Sequence, residues 1–229
     1  EEGDVTTVLQ GIEAALPAES EVLYAEGCGI RNLSKDGFAE AVAAAEQADV
    51  VVAAVGGSSK AIQIEKDGLL SGARSPEADC GENVARTSLD FSGVQRELLE
   101  LLKSTGKPLI VVLIHGRPIS APWLVDIADA IIDAGYPGEA GGRAVADVLF
   151  GDYNPGGRIT VSVPMTVGQI PVCYYYRVRE PYVEMDHRPL YPFGYGLSYT
   201  NFEYNRLVVE KDRFSSVETT SVSVEVTNT

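Results

Sequence analysis

The sequence predicts an α/β fold, a mostly parallel sheet lying between helices, and three observations carry that reading. Three apolar, β-branched runs, "DVVVAAVGG" (49–57), "KPLIVVLIHG" (107–116) and "DAIIDAGYPG" (129–138), all end in glycine. Their near-continuous hydrophobicity is that of strands buried on both faces. Helical patterns separate them, and strand–helix alternation at this spacing argues for a parallel, doubly covered sheet. After residue 151 the texture turns to short, turn-rich and aromatic segments, so a further unit begins near the C-terminus.

In chain order, "EVLYAEG" (21–27) reads as a short strand. Residues 36–47, "DGFAEAVAAAEQ", place Phe38, Val42 and Ala45 on one helical stripe. Residues 93–104, "GVQRELLELLKS", place Val94, Leu98, Leu101 and Leu102 on another, with Ser92 and Gln95 as a capping box and Gly106 and Pro108 as the stop. A third helix covers 138–151, "GEAGGRAVADVLFG". One alternating strand is expected at 158–163. From about residue 202 the alternation of "SVETTSVSVEVTNT" and its surroundings suits a half-buried antiparallel strand. Residues 1–200 are therefore expected to form one α/β domain and 201–229 the opening of a β-sandwich.

Composition narrows the chemistry. A formal charge of −15 with only 18 Lys and Arg argues against nucleic acid as a partner. No apolar run approaches the roughly 20 residues that span a bilayer, and the start, "EEGDVTTVLQ", lacks a signal peptide's basic and apolar regions. Three cysteines, Cys28, Cys80 and Cys173, lack metal-site spacing. A Cys28–Cys80 bridge and free, mostly buried thiols both fit, and free thiols are favoured.

The glycine cluster "GYPGEAGGRAVADVLFG" lacks both nucleotide fingerprints, so its glycines are expected to serve a tight turn and close helix–sheet packing. There is no G-x-S-x-G for a serine hydrolase. His115, at the end of an apolar strand, is expected to support a site from behind or to be hydrogen-bonded for structure, and His187 to be solvated; no zinc site is expected.

Carboxylates remain. In open α/β sheets ligands gather beyond the carboxyl ends of the strands. The segment 58–91 leaves such an end and reads as a long loop without regular structure, uncommon unless functional. Glu82 lies in it between Arg74 and Arg86, while Glu65, Asp67 and Glu77 compete for the same role.

The runs "GGRAVADVLFGDYNPGGRITVSVP", "VGQIPVCYYYR" and "RPLYPFGYGLSYTNFEY" resemble the C-terminal half of glycoside hydrolase family 3, the β-glucosidases, β-xylosidases and relatives. "VLYAEGCGI" and "FAEAVAAAEQADVVVAAVGG" fit the same family, so the resemblance covers essentially the whole chain. It implies a mostly parallel six-stranded sheet between helices, with 201–229 beginning a fibronectin type III-like domain. It further implies a retaining mechanism with two carboxylates, one forming the glycosyl-enzyme and the other acting as acid/base. The nucleophile Asp belongs to a preceding (β/α)8 barrel with no counterpart in this sequence.

The acid/base loop of similar enzymes reads roughly E-x-x-D-R-x-x-L-x-L-P-G-x-Q. Here "ENVARTSLDFSGVQ" matches at Glu82, Arg86, Leu89, Gly93 and Gln95. Ser92 replaces the Pro, a harmless exchange at a helix start. Ala85 replaces the Asp, which removes an acidic partner for Arg86 and favours a rival reading, a non-catalytic carbohydrate-binding or scaffold module. The resemblance thus implies Glu82 as the acid/base with Glu77 as runner-up, and Arg74 and Arg86, which flank Glu82, are expected at the substrate. It implies a β-glucosidase acting on β-glucosides or short β-linked oligosaccharides, with β-xylosidase as the alternative. No metal or organic cofactor, secretion or a periplasmic location, and a possible homodimer complete the expectation.

Overall fold

A parallel sheet of three strands, ordered β1-β4-β5, forms the centre of the molecule: β1 Val51–Gly56, β4 Leu109–Ile114 and β5 Ala130–Gly135. The computed structural model describes residues 5–59, 61–66, 69–74, 77–81, 84–175 and 180–229, with 61–66 and 69–74 described by backbone alone. Val51 faces Leu109 and Gly56 faces Ile114 in the β1–β4 register. The middle strand is the most buried. Leu109, Val111 and Val112 are fully enclosed, as the continuous run "LIVVLI" requires of a strand covered on both faces.

Helices α2 (Phe38–Gln47) and α3 (Gln95–Ser104) cover the sheet through Phe38, Ala41, Ala45, Leu98, Leu99 and Leu102. Leu99, not Leu101, is the inner residue of α3: Leu99 is fully buried and Leu101 is exposed. The helix stops where Gly106 takes φ +78°, a left-handed value that glycine adopts without strain. Two further helices, α1 (Val8–Ala15) and α4 (Pro122–Ile127), were not foreseen. The signal for α1 was the capping box Thr7–Gln10, in which each side chain meets the other residue's backbone N–H.

The α/β class stands, with three parallel strands among the described residues where the resemblance implied six. Residues 21–27 form no strand. No ladder partner among the described residues takes up their backbone. The expected strand at 158–163 is reduced to one bridge, Val163 to Tyr191. The segment 58–91 is not irregular throughout: β2 (Ala61–Lys66) and β3 (Leu69–Arg74) pair antiparallel within it, Ala61 facing Arg74.

In the 135–142 cluster Gly135 and Gly138 take the positive φ that the expected turn needs, while Gly142 packs helix on helix in place of helix on sheet. A Cβ on Gly142, at the start of α5 (Gly141–Leu149), would lie 1.9 Å from the Thr7 carbonyl oxygen. A Cβ on Gly11 would lie 2.1 Å from that of Gly142. Two small residues let the α1 and α5 backbones touch. Beyond residue 200, β6 (Phe202–Val209) and β7 (Val222–Asn228) form an antiparallel hairpin exposed along both strands.

Candidate functional site

The carboxyl ends of β1, β4 and β5 converge on the segment 77–92, and a single carboxylate organises the meeting point. Asp79 is buried, its side chain about 1% exposed. Its Oδ1 accepts the Ser58 N–H at 2.9 Å. Its Oδ2 accepts from Arg86 at 2.8 Å, from the Ser92 hydroxyl at 3.0 Å and from Arg117 at 3.1 Å. The backbone repeats the attachment, because the Asp79 N–H donates to the Ser58 carbonyl at 2.8 Å. Gly57 makes the approach possible: a Cβ there would sit 2.3 Å from Asp79 Oδ1.

Burial pushes Asp79 towards its neutral form, but the Ser58 N–H, the Ser92 hydroxyl and Arg117 outweigh it and hold the carboxyl below its usual range. Asp79 is therefore an anion at neutral pH.

Arg86 closes the loop from the other side. Its Nε donates to the Ser88 carbonyl and its Nη2 to the Asp90 carbonyl, both at 3.1 Å. Nη1 serves Asp79 and also contacts the Ser92 hydroxyl. Burial, and next the nearby Arg117, push its pKa down, though Asp79 opposes them. Each of its three nitrogens donates inside the protein, so Arg86 holds the loop. The acidic partner missing at Ala85 is supplied by Asp79. Arg117 binds the same loop through the Leu89 and Asp90 carbonyls.

Ser92 and Gln95 do not form the expected capping box. The residue preceding α3 is Val94, with no side-chain cap, because the Ser92 hydroxyl is turned to Asp79. Gln95 is buried and bridges the site to the sheet instead. It accepts the Gly56 N–H at 2.8 Å and donates to the Gly56 carbonyl at 2.9 Å and that of Ile30 at 3.1 Å.

The other predicted residues fall as follows. Glu82 and Asp67 lie outside the described residues, and Arg74 is described only as the β3 residue opposite Ala61. Glu65 is the β2 residue facing Leu70. Glu77 accepts the Arg31 N–H at 3.1 Å. The residues flanking positions 82 and 83 are described: Gly81 has φ +112°, and its carbonyl accepts the Val84 N–H at 3.1 Å. His115 is hydrogen-bonded through Nε2 to Asp133 at 2.9 Å. His187, expected to be solvated, is half-buried beside Asp186 at 2.8 Å. The three cysteines are free thiols, Cys80 being the buried one. Among the described residues no cluster of His, Cys, Asp and Glu could hold a metal ion, and no helix is long and apolar enough to cross a membrane.

The Glycosyl hydrolase family 3 C-terminal domain matches residues 2–199. The chain belongs to this family. The family 3 chain is 42% identical, over 97% of its length, to a protein of Formosa agariphila named β-xylosidase. It is 39% identical over 97% to a periplasmic β-glucosidase of Salmonella typhimurium. It covers 29% and 31% of those proteins, so it spans about a third of the length of these relatives. Among solved structures, a β-glucosidase of Erythrobacter marinus superposes with a TM-score of 0.80 at 37% identity, over 98% of this chain and 32% of that one. A β-glucosidase of Listeria innocua bound to isofagomine superposes at 0.74 with 29% identity, over 91% and 28%.

Sequence reasoning missed Asp79 and Arg117. Asp79 carried no signal beyond being one more acid in an acid-rich loop. Arg117 carried a usable one, a cation just after the carboxyl end of an apolar strand in "LIHGRP".

Proposed function

We propose that this chain is the acid/base-bearing part of a retaining, exo-acting β-glucosidase that removes terminal non-reducing β-D-glucosyl residues. Glu82 is the acid/base, and the nucleophile Asp is carried by a (β/α)8 barrel outside this chain, as the family resemblance implies. The observation that carries the reading is the Asp79–Arg86 pair. It ties residue 79 to residue 86, which bracket position 82 in the sequence, at the carboxyl end of the sheet. A general acid held on a defined base reaches its leaving-group oxygen reproducibly, which is what proton transfer in the transition state demands.

The charges fit the task. Glu82 must be protonated when substrate binds, and two guanidiniums at the base of its loop favour the ionised form. Asp79 cancels one of them. In a retaining enzyme the nucleophile carboxylate stands about 5–5.5 Å from the acid and raises its pKa against the remaining cation. The glucosidase names of the Salmonella and Erythrobacter relatives support glucose as the sugar. The β-xylosidase name of the Formosa relative supports xylose as the second reading. The periplasmic relative supports export, and the β6–β7 hairpin supports a fibronectin type III-like domain opening at residue 201.

The test is hydrolysis of 4-nitrophenyl β-glucoside and β-xyloside by the intact enzyme and by the isolated 229 residues. Turnover by the intact enzyme, with higher kcat/KM for the glucoside, and none by the isolated chain is expected. Turnover by the isolated chain would place the whole site within it and refute the two-part account. A higher kcat/KM for the xyloside replaces the first reading by the second.

A further inference from the structure

The residues just before Glu82 are gripped a second time, from the far edge of the sheet. Tyr136, directly after β5, places its hydroxyl 3.3 Å from Cys80 Sγ. Ser59 contacts the same hydroxyl through both side chain and backbone. Ser59 in turn lies under Gly81, where a Cβ would come within 3.3 Å of Ser59 Cβ. The ring is seated on bare backbone: a Cβ on Gly116 would lie 2.6 Å from Tyr136 Cε2 and 3.0 Å from its hydroxyl oxygen. Cys80 is buried, whereas half of Tyr136 faces solvent at the carboxyl edge of the sheet. Burial, and next the Cys80 contact, push the phenol above its usual pKa, so the hydroxyl keeps its proton through neutral pH.

Resting on the assignment of Glu82 as acid/base, we propose that Tyr136 is a positioning residue for it. Its hydroxyl, shared by Cys80 and Ser59, fixes the backbone from which position 82 leaves. The Asp79–Arg86 pair joins the two sides of the loop to each other, while Tyr136 ties Cys80, two residues before position 82, to the sheet's far edge. A hydroxyl–thiol contact is weak, but here it is sheltered and oriented by the Gly116 seat and by Ser59. A loss of this grip displaces the acid without touching the sugar.

The experiment compares Tyr136→Phe, Gly116→Ala, the double variant Tyr136→Phe/Cys80→Ala and Glu82→Ala in the intact enzyme. The substrates are phenyl β-glucoside, which needs protonation of its leaving group, and 2,4-dinitrophenyl β-glucoside, which does not. Tyr136→Phe is expected to lower kcat/KM about tenfold on the first and less than about twofold on the second, a fraction of what complete loss of an acid removes. Gly116→Ala, which pushes the ring off its seat and keeps the hydroxyl, should reproduce that split. Adding Cys80→Ala to Tyr136→Phe should change little, because both remove one contact. Equal loss on both substrates, or no loss, in a folded Tyr136→Phe enzyme overturns the proposal while leaving Glu82 standing if Glu82→Ala shows the split. If Glu82→Ala shows none, the acid is another residue and the proposal falls with that assignment.

Discussion

The Asp79 carboxylate stands 2.8 Å from the Arg86 guanidinium, seven residues along the chain, with the carboxylate about 1% and the guanidinium about 19% exposed. Arg117 reaches the same oxygen at 3.1 Å from the end of β4. One buried anion thus holds two cations from different elements, and neither cation has another charge partner among the described ion pairs. Removing one member of a buried pair leaves the remainder desolvated and unpaired, at a cost of roughly 3–5 kcal/mol. Asp79→Asn keeps the shape and the Ser58 contact while removing the charge. It is expected to lower unfolding stability by about 3 kcal/mol, measured by urea denaturation against the parent.

The same pair sets an acid limit. Asp79 binds its proton less tightly in the folded chain than in the unfolded one, because the Ser58, Ser92 and Arg117 contacts more than offset burial. Its contribution to stability is therefore complete above the unfolded value of about 3.9 and is lost as pH falls through the lower folded value. Unfolding stability measured between neutral pH and pH 3 should fall less steeply in Asp79→Asn than in the parent. An identical slope would mean that Asp79 is not ionised by its neighbours.

Charge at the loop base should also be visible in catalysis. With Asp79 neutralised, two uncompensated guanidiniums favour the ionised acid, so Glu82 loses its proton at lower pH. The alkaline limb of kcat/KM against pH is expected to move towards acid in Asp79→Asn enzyme. A limb unmoved while stability falls would confine Asp79 to holding the fold.

The contact of α1 with α5 has no room for a methyl group. Gly142→Ala would set a Cβ 1.9 Å from the Thr7 carbonyl, and backbone cannot yield as a side chain can. A loss of roughly 2 kcal/mol or more is expected, the scale of overpacking, read as a lower thermal midpoint.

The parallel core was legible because burial on both faces writes itself as unbroken apolar runs, as in "LIVVLI". What escaped was decided by partners far along the chain. Ser92 looked like a helix cap by local pattern, yet its hydroxyl is claimed by Asp79, thirteen residues earlier. Leu101 fitted the apolar stripe of α3, yet Leu99 faces the sheet. Residues 61–66 and 69–74 pair antiparallel, and the Asp67–Gly68 dipeptide between them was a usable turn signal that the reading of 58–91 as an irregular loop passed over. The strand ends and the long loop made Glu82 one candidate among Glu65, Asp67 and Glu77, and only the family pattern ranked it first, because a glutamate in a glycine-bearing loop has no periodicity to mark it. Asp79, which organises that loop, lies outside the matched motif and shows its role only when Gly57, Ser58 and Arg117 arrive from elsewhere.

The most direct measurement is Glu82→Ala in the intact enzyme, assayed on phenyl and 2,4-dinitrophenyl β-glucosides with and without azide. The account predicts that phenyl glucoside turnover falls by about 10²-fold or more. The dinitrophenyl substrate should still form its glycosyl-enzyme, and azide should restore turnover as the β-glucosyl azide. Parent-like rates on both substrates would contradict it, and the acid would then be sought at Glu77.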